Sequence, residues 1–503
     1  MKTCLIESTK ISRRSFLQAL GALTLSGSLA ACGGTGKTKS DRLAAGSLAY
    51  TPDEVVTVEF SDGGITVSPE DAAGLAVEET ALSVSGAGVY ALSGNCADGS
   101  VKVEAQTEDV VLLLDGLTLT SADTAPIVCG ESTGVTIAVV DGTENTLTDS
   151  EANDPDNAAD NENAEKAVVK CKDGSQVVLC GGGALTVNAL GKNGIKSGTA
   201  LDDRDASLTI RELTLNIEAL VNDAINAEQR LKVESGNLTI AAGEDAIHCD
   251  MELNIGAEGT TGPAITVSSC SEGLEGAVLN IHSGNMDITS TDDCLNAANS
   301  DLGDYAFEMN ISGGTIKAYS SEGDGFDSNG TLTITGGDIS VWTANAADNQ
   351  PLDADGCITI SGGTVLAAGG GAGMGFSISA SQPYVTFGGG RDSSLSLAGG
   401  EAFSIADERG KSVLDSTALC DAAFLFYSSP ALTAGGRYSV QSTVTATAKT
   451  GEADPQFGGN GGPGGSSGQR PDGMTPPDGQ MPQGQPPQSD GTTPPELPAA
   501  SSN

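Results

Sequence analysis

The sequence predicts an all-β protein built as a parallel β-helix, a solenoid of short strands joined by tight bends. Composition points there first: 68 of 503 residues are Gly and only 4% are aromatic. With abundant Thr, Ser, Val and Ile, that mixture is poor for helical bundles and suited to strands and turns. A repeat between residues 185 and 370 points there next. Its strands alternate and stop at small residues, as in Leu208-Thr209-Ile210, Leu238-Thr239-Ile240, Met309-Asn310-Ile311-Ser312-Gly313-Gly314, Leu332-Thr333-Ile334-Thr335-Gly336-Gly337 and Ile358-Thr359-Ile360-Ser361-Gly362-Gly363. One such unit cannot bury its inward face alone, whereas stacked units can. A β-sandwich, the competing all-β architecture, does not repeat a turn sequence.

The elements follow in chain order. Residues 1–32 read as an address: Ser12-Arg13-Arg14-Ser15-Phe16-Leu17 is a twin-arginine signature, and Leu29-Ala30-Ala31-Cys32 is a lipobox with Cys32 as the lipidated residue. An exported protein, lipid-anchored at the cell membrane or surface, is therefore expected. Residues 33–54 form a linker, and 55–184 hold an N-terminal β region and the first rungs, with an Asx-rich mobile loop from Asn153 to Glu165. Residues 185–370 are the acidic-turn repeats and 371–450 a C-terminal β cap. Residues 451–503, rich in Gly, Pro and Gln, cannot bury a core and read as a disordered tail.

Charge limits the partners. Lys and Arg number 24 against 67 Asp and Glu, a formal net charge of −43. Such a surface repels nucleic acid and anionic lipid heads, leaving the lipid anchor as the only membrane contact. Charged residues are only 18% and apolar ones 38% of the chain, so it is not a disordered polyanion. A monomer is expected. Beyond Cys4 and Cys32, nine cysteines remain, with no C-x-x-C pair and no zinc-ligand spacing. Buried reduced thiols fit better than a disulfide framework.

The chemistry lies in the second half of each repeat. An apolar residue recurs at Ile195, Ile225, Ile247, Leu274, Leu295, Phe326 and Leu352, at intervals of 21–31 residues. Polar residues stand two before and one after it: Asn193 and Lys196, Asp223 and Asn226, Asp245 and His248, Glu272 and Glu275, Asp293 and Asn296, Asp324 and Asp327, Gln350 and Asp353. Five of the seven leading positions are acidic, Asp292 adjoins one of them, and Asp250, Asn329 and Asp355 add further oxygens. The position between is small or Pro, which lets the backbone bend.

Stacked strands lie about 4.8 Å apart, so equivalent side chains form rows. Two carboxylates at that spacing repel by roughly 1–4 kcal/mol as the local dielectric falls from about 80 to about 20. A row of them needs cations, and oxygen-only ligands of loose geometry suit Ca²⁺ better than Mg²⁺ or Zn²⁺. The expected Ca²⁺ ligands are Asp223, Asn226, Asp245, Asp250, Glu272, Glu275, Asp292, Asp293, Asn296, Asp324, Asp327, Asn329, Asp353 and Asp355. His248 and Trp342 are candidate substrate contacts. A solvated acidic face of turn-forming residues is the plainer alternative.

The sequence resembles the bacterial carbohydrate-binding domain proteins of the clostridial type. The resemblance rests on Ala125-Pro126-Ile127, Asp141-Gly142-Thr143-Glu144-Asn145-Thr146-Leu147, Asp245-Ala246-Ile247-His248, Ser271-Glu272-Gly273-Leu274-Glu275-Gly276, Asp292-Asp293-Cys294-Leu295-Asn296-Ala297-Ala298 and Gly323-Asp324-Gly325-Phe326-Asp327-Ser328-Asn329-Gly330. It covers residues 55–445, and departs from the family at Lys196, Gln350 and Cys294. It implies a right-handed parallel β-helix with bound calcium that adheres to cellulose and polygalacturonate without catalysis.

An enzyme must still be weighed. A pectate-type lyase needs a Lys or Arg base near the metal-bound uronate, yet Lys317 is the only Lys or Arg between residues 240 and 370. Arg204, Arg230 and Lys192 lie at the edge of that window. A hydrolase needs opposed carboxylates, and adjacent Asp292 and Asp293 point opposite ways in a strand. The residues thus favour a non-catalytic binder of acidic polysaccharide, calcium bridging protein and uronate carboxylates. A neutral glucan asks for an aromatic platform, for which Trp342, Tyr305 and Tyr319 are the nearby candidates. An adhesin that binds a protein partner is a third class.

Overall fold

The computed structural model describes residues 43–302, 305–344, 349–369, 378–389 and 395–453. The twin-arginine and lipobox residues, Cys32 included, and the tail from residue 454 lie outside the described residues. Among the described residues there is no α-helix, only two short 3₁₀ turns, Pro52–Glu54 and Glu151–Asn153. Among the described residues no helix is long and apolar enough to cross a membrane.

The strands are short and alternate as the sequence does. In Asn285–Ser290 every second residue is buried, and Asn237–Ala242 does nearly the same. From residue 100 to 360 successive strands pair in parallel. Leu185, Leu215, Leu238, Ile265, Met286, Ile316, Ile339 and Val365 stand in register on eight neighbouring strands. All eight are buried in the main core. Each such aliphatic side chain contributes about 1.5–3 kcal/mol on burial.

The expectation of a right-handed parallel β-helix with separate β caps does not hold. Thirty-four strands form one hydrogen-bonded sheet that mixes parallel and antiparallel pairs. Val55–Ser61 pairs antiparallel with Gly64–Ser68, and Leu75–Glu78 with Ala81–Val84. Phe424–Ser428 runs antiparallel between Thr364–Gly369 and Ile378–Gly388. Strands at both ends therefore join the large sheet in antiparallel pairs, and a separate four-stranded sheet lies beside it near the C-terminal end. The repeat reports strand length and turn position, and neither says how strands outside the repeat choose partners.

Two smaller cores flank the main one. A four-stranded antiparallel sheet of Ala402–Asp407, Ser412–Thr417, Arg437–Val440 and Val444–Thr447 contributes Phe403, Ile405 and Val440 to a cluster with Trp342, Phe387 and Tyr427. At the other end, part of the expected linker forms a hairpin, Leu43–Ala45 with Leu48–Tyr50. It seals Ala45 against Leu113 and Cys180, and Asp141 Oδ1 accepts a hydrogen bond from Gly46 N at 2.7 Å. Asn153, at the head of the Asx-rich insert, is fully buried and holds that insert through Asp149, the Ala167 carbonyl and the Glu165 amide. Seven described cysteines are buried free thiols and Cys420 is a half-buried one.

Candidate metal centre

The apolar turn residues form one column. Ile195, Ile225, Ile247, Leu274, Leu295 and Phe326 pair in register, and Leu352 bridges Phe326. None has exposed surface. Two polar columns flank it. The residue after the apolar one gives Lys196, Asn226, His248, Glu275, Asn296 and Asp327 in register. The leading acidic residues align through backbone bonds such as Ala246 N to Glu272 O, Gly273 N to Asp293 O and Gly325 N to Gln350 O, each 2.8–2.9 Å. The small residue between has a steric cause: a Cβ on Gly325 would lie 2.5 Å from the Pro351 carbonyl oxygen, and one on Gly273 2.2 Å from that of Cys294.

The columns bring most of the expected ligands together, in three distinct settings. At the N-terminal end, Lys196 Nζ donates to Asn226 Oδ1 at 2.7 Å and pairs with Glu228 at 2.9 Å, while Asn226 Nδ2 donates to buried Asp223 at 2.7 Å. A side-chain ammonium fills the place an ion would take. One strand on, His248 contacts Asp245 Oδ2 at 2.9 Å and Glu275 Oε2 at 3.2 Å through Nδ1, and Asp250 Oδ1 at 2.8 Å through Nε2. Burial lowers the imidazole's pKa, but the three carboxylates outweigh it and raise the pKa far above the ordinary histidine value. Asp245, His248 and Glu275 can also bring one ligand atom each within 4.8 Å of one another, so His248 lies among the expected ligands and its contacts here are to carboxylates.

Beyond His248 no side-chain cation follows. Asp324, Asp327 and Asp353 can bring one carboxylate oxygen each within 4.8 Å of one another. Asp293 Oδ1 accepts from Asp324 N at 2.7 Å, and Asp324 in turn accepts from Gln350 N. Asn296 Nδ2 donates to Glu272 at 2.8 Å, and its Oδ1 is buried without a hydrogen-bond partner. Burial, with neighbouring carboxylates, pushes Glu272 up to about 8, Asp293 and Asp324 to about 7, and Asp327 to about 6. Asp353 is raised for the same reasons. Carboxyls that hold protons near neutrality for want of a counter-charge, beside an orphaned amide oxygen, form a donor set that fits a hard cation. Asp292, Asn329 and Asp355 stand exposed at the rim of this half.

Trp342 corrects the other substrate expectation. It is fully buried, donates Nε1–H to Ser340 at 2.9 Å, and meets Phe403 edge-on at 6.1 Å. A tryptophan in a core cannot stack on a glycan. Tyr305 is the exposed aromatic side chain among the described residues, and it leans on Phe307 at 5.8 Å. Lys317 pairs with Asp287 at 3.0 Å, and Arg204, Arg230 and Lys192 are engaged by Glu108, Asp205 and Asp156. One residue of the polar column escaped the sequence reading. Lys170 stands in register with Lys196, and the alternation Val168-Val169-Lys170-Cys171 is the signal that places it outward.

Comparison with known proteins completes the picture. The family described as carbohydrate-binding domain-containing protein matches residues 78–375. A protein of that description from Acetivibrio thermocellus is 30% identical over 184 residues, 36% of this chain, and the match spans 60% of the relative's length. A solved structure, the gadolinium derivative of a polysaccharide lyase-like protein from C. thermocellum, is 23% identical with a TM-score of 0.33, covering 61% of this chain and 96% of that one. With more than half of its length matched, the chain belongs to the carbohydrate-binding domain-containing protein family.

Proposed function

We propose that the protein is an exported, lipid-anchored binder of acidic polysaccharide that works through calcium and carries out no catalysis. The observation that carries this reading is the uncompensated half of the polar column: Asp324, Asp327 and Asp353 around one point, with the orphaned Asn296 oxygen one strand away. Asp, Glu and Asn oxygens suit Ca²⁺, which tolerates irregular coordination and retains room for outside oxygens. When bound, the ion supplies a bridge: protein carboxylates hold it on one side, and the uronate carboxylates of a glycan reach it from the other. The chain's own residues orient the ion and keep its neighbours apart. Among the described residues Tyr305 is the one exposed aromatic side chain, which favours uronate over cellulose. The cations nearest this half are already engaged by carboxylates elsewhere, which leaves a lyase without its base.

The test is retention of the exported full chain on pectate and on cellulose, each with Ca²⁺ and with EDTA, scoring reducing ends and unsaturated products together. Retention on pectate with Ca²⁺ and no products supports the reading. Unsaturated products would turn it into a lyase, and calcium-independent retention on cellulose would remove the bridge.

A further inference from the structure

The polar column continues past Lys196 toward the N-terminus, and its character reverses. Ser83, Lys102, Val128, Lys170, Lys196, Asn226, His248, Glu275, Asn296 and Asp327 occupy one register position on successive strands. In a chain of net charge −43, one end of this line is basic and the other acidic. Lys172 is paired with Glu165 at 2.7 Å and Lys196 with Glu228 at 2.9 Å. Lys170 is half-buried between Val128 and Lys196 and, among the described residues, makes no hydrogen bond or ion pair. A partly buried ammonium without a counter-ion is costly, and an incoming anion relieves that cost.

We propose that Lys170 and Lys196 form a metal-free anion subsite that takes a carboxylate of an acidic glycan directly on their ammonium groups. The inference rests on the reading of the protein as an acidic-glycan binder. The strands that carry the two lysines are neighbours, about 4.8 Å apart, and Lys196 Nζ, which gives two of its three hydrogens to Asn226 and Glu228, keeps one for a carboxylate shared with Lys170. Burial and the nearness of Lys196 lower the pKa of Lys170, and Glu228 and Glu165, which pair with Lys196 and Lys172, offset this only in part. Such a subsite and the calcium half lie on one line, so a single extended polyuronate chain would meet ammonium groups at one end and metal at the other.

The experiment measures retention of the full chain on pectate at low salt, with Ca²⁺ or EDTA, for wild type, K170Q, K170E, K170R and the control K317Q. Methyl-esterified pectin, which keeps the sugar and loses the charge, serves as the second matrix. Wild type in EDTA is expected to keep a weak, salt-sensitive retention on pectate alone. K170Q should weaken it about tenfold, since a hydrogen bond to a charged group is worth about that factor. K170E should abolish it, K170R should preserve it, and K317Q should leave it unchanged, all at wild-type melting temperature. Complete loss of wild-type retention in EDTA overturns the subsite while leaving the calcium reading intact, and so does K170E binding like wild type. Equal retention in Ca²⁺ and EDTA that K170E removes supports the subsite and sinks the calcium bridge. Retention in neither condition overturns both.

Discussion

The two halves of the polar column solve one electrostatic problem in different ways. From Lys196 to His248 the oxygens of Asn226, Glu228, Asp245, Asp250 and Glu275 face cations that the chain itself supplies. From Asp293 to Asp353 similar carboxylates stack at the same strand spacing, with no side-chain cation beside them among the described residues. The backbone geometry is shared and the apolar column behind both halves is equally buried, so the difference lies in a few side chains. A side-chain cation gives the carboxylates a partner on folding; its absence leaves a group that could hold an ion from solution.

The largest test of that contrast removes a resident cation. His248→Ala should destabilise the metal-free protein by about 3 kcal/mol, because three part-buried carboxylates lose their partner. It should also take up one more Ca²⁺ than wild type by calorimetry. Unchanged denaturation in EDTA would show that the halves do not differ in this way. Next in size is the metal itself: Ca²⁺ at about one hundred times its dissociation constant should stabilise wild type by about 2.7 kcal/mol over EDTA. Asp327→Asn should cost about tenfold in Ca²⁺ affinity, about 1.4 kcal/mol, and at the same time raise the melting temperature in EDTA by removing one repelling charge. A variant that loses both affinity and metal-free stability would mean Asp327 is structural.

The last test is in pH. The ordinary values are 4.5 for Glu272 and 3.8 for Asp293, Asp324 and Asp327, and the folded values are about 8, 7, 7 and 6. Between those ranges the folded chain binds more protons than the unfolded one, so stability falls as pH rises through the window and levels off above it. The metal-stripped protein should therefore melt a few degrees lower at pH 8 than at pH 5. Saturating Ca²⁺, which replaces the protons, should flatten that slope; an equal slope with Ca²⁺ would place the titrating groups away from the metal.

Much of the acidic half was legible in the sequence, because strict spacing around a buried apolar residue forces the flanking carboxylates into columns. What was not legible depends on contacts between distant segments. His248 reads as a candidate substrate contact until Asp245, Asp250 and Glu275, the last of them from the neighbouring strand, are seen around its ring. Trp342 occupies a strand position that by itself does not tell core from surface; the sheet bearing Phe403 covers it. Lys170 lies in the region before the repeat, and only register ties it to Lys196. The fold class failed for the same reason, since the antiparallel partners of Ile378–Gly388 are 36 residues or more away along the chain for Phe424–Ser428.

The buried tryptophan has a practical side. It is the single Trp of the chain and lies where the strand Asp338–Thr343 meets the four-stranded sheet through Phe403. Its emission is thus a spectroscopic reporter placed at one seam. A red shift on mild heating or denaturant would signal that sheet lifting away before the parallel strands open, and distinguish stepwise from concerted unfolding without any label.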